Sequence, residues 1–256
     1  MLFRLPRILI LAATALLGVA ALPAQPMLRV RADHWMPYNG TAADERPGYV
    51  VEILRAIFEP QEVQVNYALL PWDESLAEAR AGRIEAVIGA NATEAADLVV
   101  PKESIGVPRV GIWVRKGSVW SYANAASLQT IRLGCIHGYS YSDPLDAYLR
   151  TAKPGAVTAF AGENPLQDGI AKLSSGEIDA FIETVPVFIW AVKASGRTVS
   201  DFRIEYSEIA EPVYIAFART ELGRRRAAAF DVGIRKLRTS GALATILRRY
   251  GLSDWQ

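Results

Sequence analysis

Two stretches of the 256-residue chain follow one local plan, and that plan narrows the folds open to it. Residues 71–97 read PWDESLAEARAGRIEAVIGANATEAAD. Leu76, Ala79 and Ile84 have the apolar spacing of an amphipathic helix running into a turn. Asp73 is read as its N-cap. Gly82 suits the position just past a helix end, where a positive φ costs least. Residues 84–90 then form an apolar run long enough for one strand, and Gly89-Ala90-Asn91-Ala92-Thr93 closes the unit with small and polar groups. Residues 170–184, IAKLSSGEIDAFIET, repeat the order: helix, Gly turn, an acidic residue followed by Ala, apolar strand, polar end. Two copies predict two similar α/β lobes, each presenting a strand end to one cleft, where α/β sheets bind ligands. The competing reading is chance, since αβ connections through Gly are common.

The first residues predict a secretory leader. Arg4 and Arg7 precede an uninterrupted apolar run over 8–21, and Leu-Pro-Ala stands before Gln25 as a small-residue cleavage site. Val-Ala-Ala ending at Ala21 is the competing site. An uncleaved anchor is the other reading, but the run is short for a full span. Residues 1–24 are therefore set apart as a signal peptide. Its removal takes two positive charges, so the net charge falls from +1 to −1. A near-neutral chain argues against a nucleic-acid partner. Cys135 is the single cysteine, so no internal disulfide forms, and its apolar context predicts an inert buried thiol. No cysteine stands at the cleavage site, so no lipid anchor is expected. The expected location is the periplasm.

Along the chain, residues 28–32 alternate as a strand and end in the aromatic, polar run 33–40. Val50, Ile53, Leu54 and Ile57 mark a helix, and residues 63–69 a second strand. Residues 107–114 are apolar and are read as the first crossing between lobes. Residues 131–136 open the second lobe; Asp143 is read as N-cap of the next helix, with Pro144 in its first turn. Residues 157–160 are a strand and 186–195 a helix. Residues 213–218 are a strand and the second crossing. Residues 224–250 form two helices with a basic face of Arg224, Arg225, Arg226, Arg235, Lys236, Arg248 and Arg249. That face is read as solvated, with docking to an acidic partner as the alternative.

The leader, Tyr49-Val50-Val51-Glu52-Ile53, the Trp72 helix, Gly82-Arg83-Ile84-Glu85-Ala86, Gly176-Glu177-Ile178-Asp179-Ala180 and the tail 243–252 occur in an order that resembles the family 3 extracytoplasmic solute-binding proteins. These are the polar amino-acid receptors of ABC transporters. The resemblance covers nearly all of the mature chain. It implies a two-lobed type II periplasmic-binding-protein fold, α/β, with two crossing hinge strands. Lobe 1 would comprise residues 27–112 plus 213–256, and lobe 2 residues 113–212. It also implies a monomer that captures a small-molecule ligand for an ABC permease in the inner membrane, with no cofactor.

Two departures from that family matter. Its amino-acid binders carry Thr-x-x-Arg after the first repeated strand, the Arg gripping the α-carboxylate. Here the run is Thr93-Glu94-Ala95-Ala96, and alanine cannot make a bidentate carboxylate contact. The second repeated strand ends, in the family, in an Asp that pairs with the α-ammonium; here Thr184 follows Glu183. Glu183 could substitute through a one-residue slip, although side chains alternate faces along a strand. Arg109 could return the lost positive charge.

The ligand-binding candidates are His34, Trp35, Tyr38, Asn39, Trp72, Asn91, Thr93 and Arg109, with His137, Gly138, Tyr139, Ser140, Glu183 and Thr184 from the second lobe. Aromatic groups supply area, and amides and hydroxyls orient a ligand. Trp35 and Tyr38 alternatively pack their own loop. Residues 138–142 could offer backbone N–H groups to an anion. His34, His137 and Glu183 make a sparse metal alternative without paired spacing, so no metal is expected.

The expected function is capture of a small polar or aromatic solute other than a standard α-amino acid. The alternatives are an enzyme of cyclohexadienyl-dehydratase type on the same scaffold, with Glu183 or Glu103 as general acid, and a soluble sensor for a membrane receptor. No Ser/His/Asp or Cys/His spacing supports catalysis.

Overall fold

The computed structural model describes residues 25–256, so the expected leader lies outside the described residues. Two mixed sheets organise the chain. The first has the order β2-β1-β3-β9 and contains β1 (Met27–Ala32), β2 (Gln64–Leu69), β3 (Ala86–Ala90) and β9 (Tyr214–Phe217). The second has the order β6-β5-β7-β4-β8 and contains β4 (Arg109–Arg115), β5 (Leu133–Ile136), β6 (Val157–Phe160), β7 (Ala180–Thr184) and β8 (Phe202–Ile209). β1, β2 and β3 run parallel, as do β5, β6 and β7. β9 and β4, the strands reached from the other sheet, are antiparallel to their neighbours.

Parallel neighbours need a long crossover. Helices α1 (Tyr49–Phe58) and α2 (Trp72–Arg80) supply it in the first sheet, and α3 (Asp143–Thr151) and α4 (Pro165–Ser175) in the second. Leu28, Val30 and Ala32 of β1 are fully buried with Val50, Ile53 and Leu54 of α1. The central strands β3 and β7 are buried on both faces, as strands covered by helices must be. After β7 comes α5 (Val185–Ala194); after β9 come α6 (Glu221–Thr239) and α7 (Ala242–Arg248), which return to pack on α1.

The turn after α2 places Gly82 at φ 69°, and Gly176 closes α4 at φ 83°, so both repeated units end their helices in the left-handed region. The caps differ from expectation. Pro71 precedes α2, which puts Asp73 inside its first turn, and Ser142 precedes α3, with Asp143 and Pro144 already helical. A proline at the boundary needs no N–H partner, which allows α2 to begin two residues early and α3 one. On the basic face of α6, Arg226 is buried instead of solvated: its guanidinium donates to the Met27 carbonyl at 2.6 Å.

The routes between the sheets also differ. β4 pairs with β7 and β8 along its length, so residues 109–112 lie in the second sheet. The chain crosses in segments 91–108 and 210–213. These are stitched together: Ile105 N donates to Val213 O at 2.8 Å, Val213 N to Gly106 O at 3.0 Å and Ala210 N to Pro108 O at 2.9 Å.

Candidate functional site

The carboxyl ends of β1, β3 and β7 open on one cavity of about 520 Å³. Asn91, just past β3, and Thr184, the last residue of β7, both line it. The two repeated units thus meet across one gap. Trp35 and Trp72 form an aromatic side in the first lobe, Tyr139 and Tyr141 face them from the loop after β5, and the crossing segments contribute Pro108, Glu211 and Val213.

The aromatic side is built by tight backbone turns. Trp35 stacks on Tyr38 with centroids 3.8 Å apart and planes 17° from parallel. Tyr38 leans on Tyr49, whose hydroxyl donates to the Ile105 carbonyl at 2.7 Å, tying the wall to a crossing segment. Tyr49 N and Val50 N donate to Pro37 O and Tyr38 O, each at 3.0 Å. That approach requires Gly48, at φ 108°, because a Cβ there would overlap the Asn39 backbone and the Tyr38 carbonyl. Gly89, at φ 104°, sits at an irregularity in the β3–β9 pairing beside the Trp35 ring. Trp72 is fixed by a small loop: its indole N–H donates to Glu94 Oε1 at 3.3 Å, Asn91 N donates to Glu94 Oε2 at 3.1 Å, and Glu94 N to Asn91 Oδ1 at 2.8 Å.

The lobes touch through the loop after β5. The Tyr139 hydroxyl donates to the Asp33 carboxylate across the gap. His137 Nδ1 lies 3.6 Å from Asp73 Oδ2. Elsewhere Trp190 of α5 meets Tyr250 at 6.0 Å between ring centroids, with the Arg46 guanidinium 5.4 Å above the Trp190 ring.

Burial raises several carboxyls here. Asp33 is pushed up to about 6 by desolvation, against the lowering effect of the Tyr139 hydrogen bond. Glu183, 1% exposed, is pushed up to about 8 by desolvation, although the Thr184 N–H donates to it at 2.5 Å. Burial also raises Glu94. Burial drives the Tyr139 and Tyr141 phenols well above their ordinary value. The Cys135 thiol, buried in the second lobe, is pushed up to about 11.

Of the residues singled out on sequence, Trp35, Trp72, Asn91, Thr93, Gly138, Tyr139, Ser140 and Thr184 line the cavity. Tyr38 lies behind Trp35. Asn39 is fully buried and serves the loop: its amide donates to Asp33 O at 2.5 Å and Tyr67 Oη at 3.2 Å. His34 lines a separate crevice with Met36, Arg46 and Trp190, while His137 is at the Asp73 contact, so the two histidines do not converge. Among the described residues, no group of three or more His, Cys, Asp or Glu side chains is placed to hold a metal ion. Arg109 is exposed and donates to Ser207 Oγ at 3.2 Å, away from the cavity. Glu183 pairs with Gly111 and Thr184 with Val110, so alternation sends Thr184 to the cavity and buries Glu183 behind its wall. Glu103 is tied to Arg235 and Arg238, each at 3.2 Å, and does not reach the cavity.

Residues 138–142 do not offer a free anion site. Asp146 occupies it, accepting from Tyr141 N at 2.9 Å and Ser140 Oγ at 2.7 Å. The lining residues that sequence reasoning passed over as binding groups include five acids: Asp33, Glu94, Asp143, Asp146 and Glu211. Each lies on a loop or at a helix start, where acids are ordinarily solvated or capping.

No protein-family model matches the sequence, and no curated protein matches it. Solved structures do. One is a histidine kinase sensor domain described as similar to periplasmic binding proteins, 18% identical over 88% of this chain and 95% of that one, with a TM-score of 0.72. Another is the substrate-binding protein of an amino acid ABC transporter, 15% identical over 88% and 98%, TM-score 0.70. A third is EhuB in complex with hydroxyectoine, 19% identical over 90% of each chain, TM-score 0.73. The chain has the two-lobed fold of the periplasmic solute-binding proteins.

Proposed function

We propose that this protein is a periplasmic binding protein whose lobes close on a small polar or aromatic solute other than a standard α-amino acid, for delivery to an ABC permease. The observation that carries the reading is the cavity between the two repeated strand ends, with Asn91 and Thr184 on its walls. Its volume lies in the range of small-molecule sites, and its lining mixes aromatic faces with a few polar groups. The stitched segments 91–108 and 210–213 act as the hinge in this proposal, dividing the chain into a lobe around each sheet. Opening exposes the cavity, and ligand shifts the balance toward the closed form.

Two features argue against an amino-acid clamp. Ala96 takes the place of a carboxylate-gripping Arg, and neither Arg109 nor Glu183 reaches the cavity. They also disfavour the dehydratase reading, which needs a carboxylate anchor beside a general acid. The sensor reading keeps its place because a histidine kinase sensor domain shares the fold.

The test is a thermal-shift panel of polar and aromatic solutes, with the standard amino acids beside them. A solute at one hundred times its Kd stabilises the folded state by about 2.7 kcal/mol. We expect a saturable shift without consumption of the solute, lost in Trp72→Ala and Asn91→Ala. Micromolar binding of an ordinary α-amino acid, or turnover of the solute, would overturn the reading. Loss of uptake in a deletion strain supports the permease role; intact uptake with a lost transcriptional response supports the sensor.

A further inference from the structure

The cavity's charge is one-sided. Asp33, Glu94, Asp143, Asp146 and Glu211 line it, and Arg150 at the mouth is the one basic residue among its lining. None of these five acids is in an ion pair among the described residues. Their partners are neutral: Tyr139 for Asp33, Trp72 and Asn91 for Glu94, Ser140 and Tyr141 for Asp146. Asp143 and Glu211 make no side-chain hydrogen bond there. Arginine neutralises carboxylates at other places in the fold, as at Arg29–Glu85 and Arg132–Asp179. Around this cavity the acids outnumber the basic residues five to one.

A second observation concerns what the site leaves unpaired. Asn91 is nine-tenths buried, spends Oδ1 on the Glu94 N–H, and its Nδ2 has no protein partner although the residue lines the cavity. The buried Trp35 indole N–H is directed at the Glu183 carboxyl behind the wall, so it is not a donor left over for a ligand. A donor that faces the cavity without a protein partner is one a ligand acceptor can satisfy. Finally, the start of α3, which would suit an anion, is already filled by Asp146 from the helix itself.

We infer that the solute is an organic cation without a carboxylate group, a protonated amine or quaternary ammonium that also carries a neutral hydrogen-bond acceptor. This deepens the solute-binding reading and rests on it. The acids lower the free energy of a positive group between them, and the faces of Trp35, Trp72 and Tyr139 favour a cation through their ring quadrupoles. The acceptor takes up the unpaired Nδ2 donor of Asn91. A carboxylate would meet that same donor, but such a neutral bond is worth roughly tenfold in affinity, and five acids oppose it against the single arginine of the lining, Arg150. The inference also explains why burial raises Asp33 and Glu94: with no cation present, the proton is the only neutralising partner available.

Matched pairs separate the charge from the shape. Choline, tyramine and N-acetylputrescine are compared by calorimetry with glycine betaine, tyrosine and Nδ-acetylornithine; the last two are the same cations with a carboxylate added, and glycine betaine has a carboxylate in place of choline's hydroxymethyl group. A neutral and anionic solute panel runs beside them. At least one carboxylate-free cation should bind at least a hundredfold more tightly than its counterpart. Its affinity should fall with added salt, and at pH 6, where Asp33 is partly protonated, protons should be released on binding, seen as a dependence on buffer ionisation enthalpy. Glu94→Gln should weaken it tenfold or more. Glu211→Gln, at an exposed position with no bond to lose, should weaken it several-fold while the unliganded melting temperature stays unchanged. Preference for the carboxylated member, or for a neutral or anionic solute, overturns the cation and leaves the solute-binding reading standing. No binding by any compound overturns both.

Discussion

Glu183→Gln gives the account a pH signature. Glu183 is 1% exposed, and its neighbours offer no positive charge: Asp33, Trp35 and Tyr38 approach from the first lobe, Tyr139 and Tyr141 from the second. Burial pushes its carboxyl from an ordinary 4.5 up to about 8. The sign follows from proton linkage. The folded state holds this proton more tightly than the unfolded chain, so the residue costs nothing below about pH 4.5. Stability then falls as the pH rises toward 8 and levels off above it. A displacement of that size corresponds to roughly 5 kcal/mol at 1.36 kcal/mol per tenfold, and relaxation and water entry bring the expected loss to about 2–4 kcal/mol. Glutamine keeps the shape and cannot ionise. Urea unfolding of both proteins at half-unit steps from pH 4.5 to 8.5 reads the difference directly, because carboxyls such as Glu85 and Asp179, held low by arginine, cancel between them. The variant should match the parent at pH 4.5 and exceed it by about 2–4 kcal/mol at pH 8.5. Parallel curves for the two proteins would refute the reasoning.

Three further outcomes follow from the same structure. Gly48→Ala forces a Cβ into the Asn39 backbone at φ 108°, and should cost about 2–4 kcal/mol in denaturant unfolding and abolish solute binding, since the turn sets the Trp35 loop. Tyr139→Phe removes the hydrogen bond to Asp33 across the gap, so solute affinity should fall about tenfold; an unchanged Kd by calorimetry would count against closure through that contact. Cys135, buried and with its thiol pushed up to about 11, should resist a thiol reagent in the native state and react at once in urea.

The architecture was legible where local sequence carried it. The Gly82 and Gly176 turns, and the apolar strands after them, are short-range signals, and both strand ends reach the same cavity. β8 was not legible. Phe202–Ile209 interleaves Arg, Glu, Tyr and Ser, because an edge strand buries little of either face. Residues 107–114 misled for the opposite reason: an apolar run cannot say which sheet it joins, and β4 enters the second one. In the site, the aromatic and amide residues could be read from their position after strands. The acids could not, since Asp143 and Asp146 look like ordinary helix-start residues and Glu94 sits where attention falls on the missing Arg. Only their convergence in space gives them a shared role, and convergence depends on the fold. Arg109 failed as a substitute cation for the same reason: its strand turns it toward Ser207.

The most direct test is a crystal structure of the protein with its tightest-binding solute. The account predicts density between Trp72, Asn91 and Thr184, with the ligand's positive group toward Asp33 and Glu94 and the lobes in contact through Tyr139. Density in the crevice beside His34 and Trp190, or on the outer surface of either lobe, would contradict it.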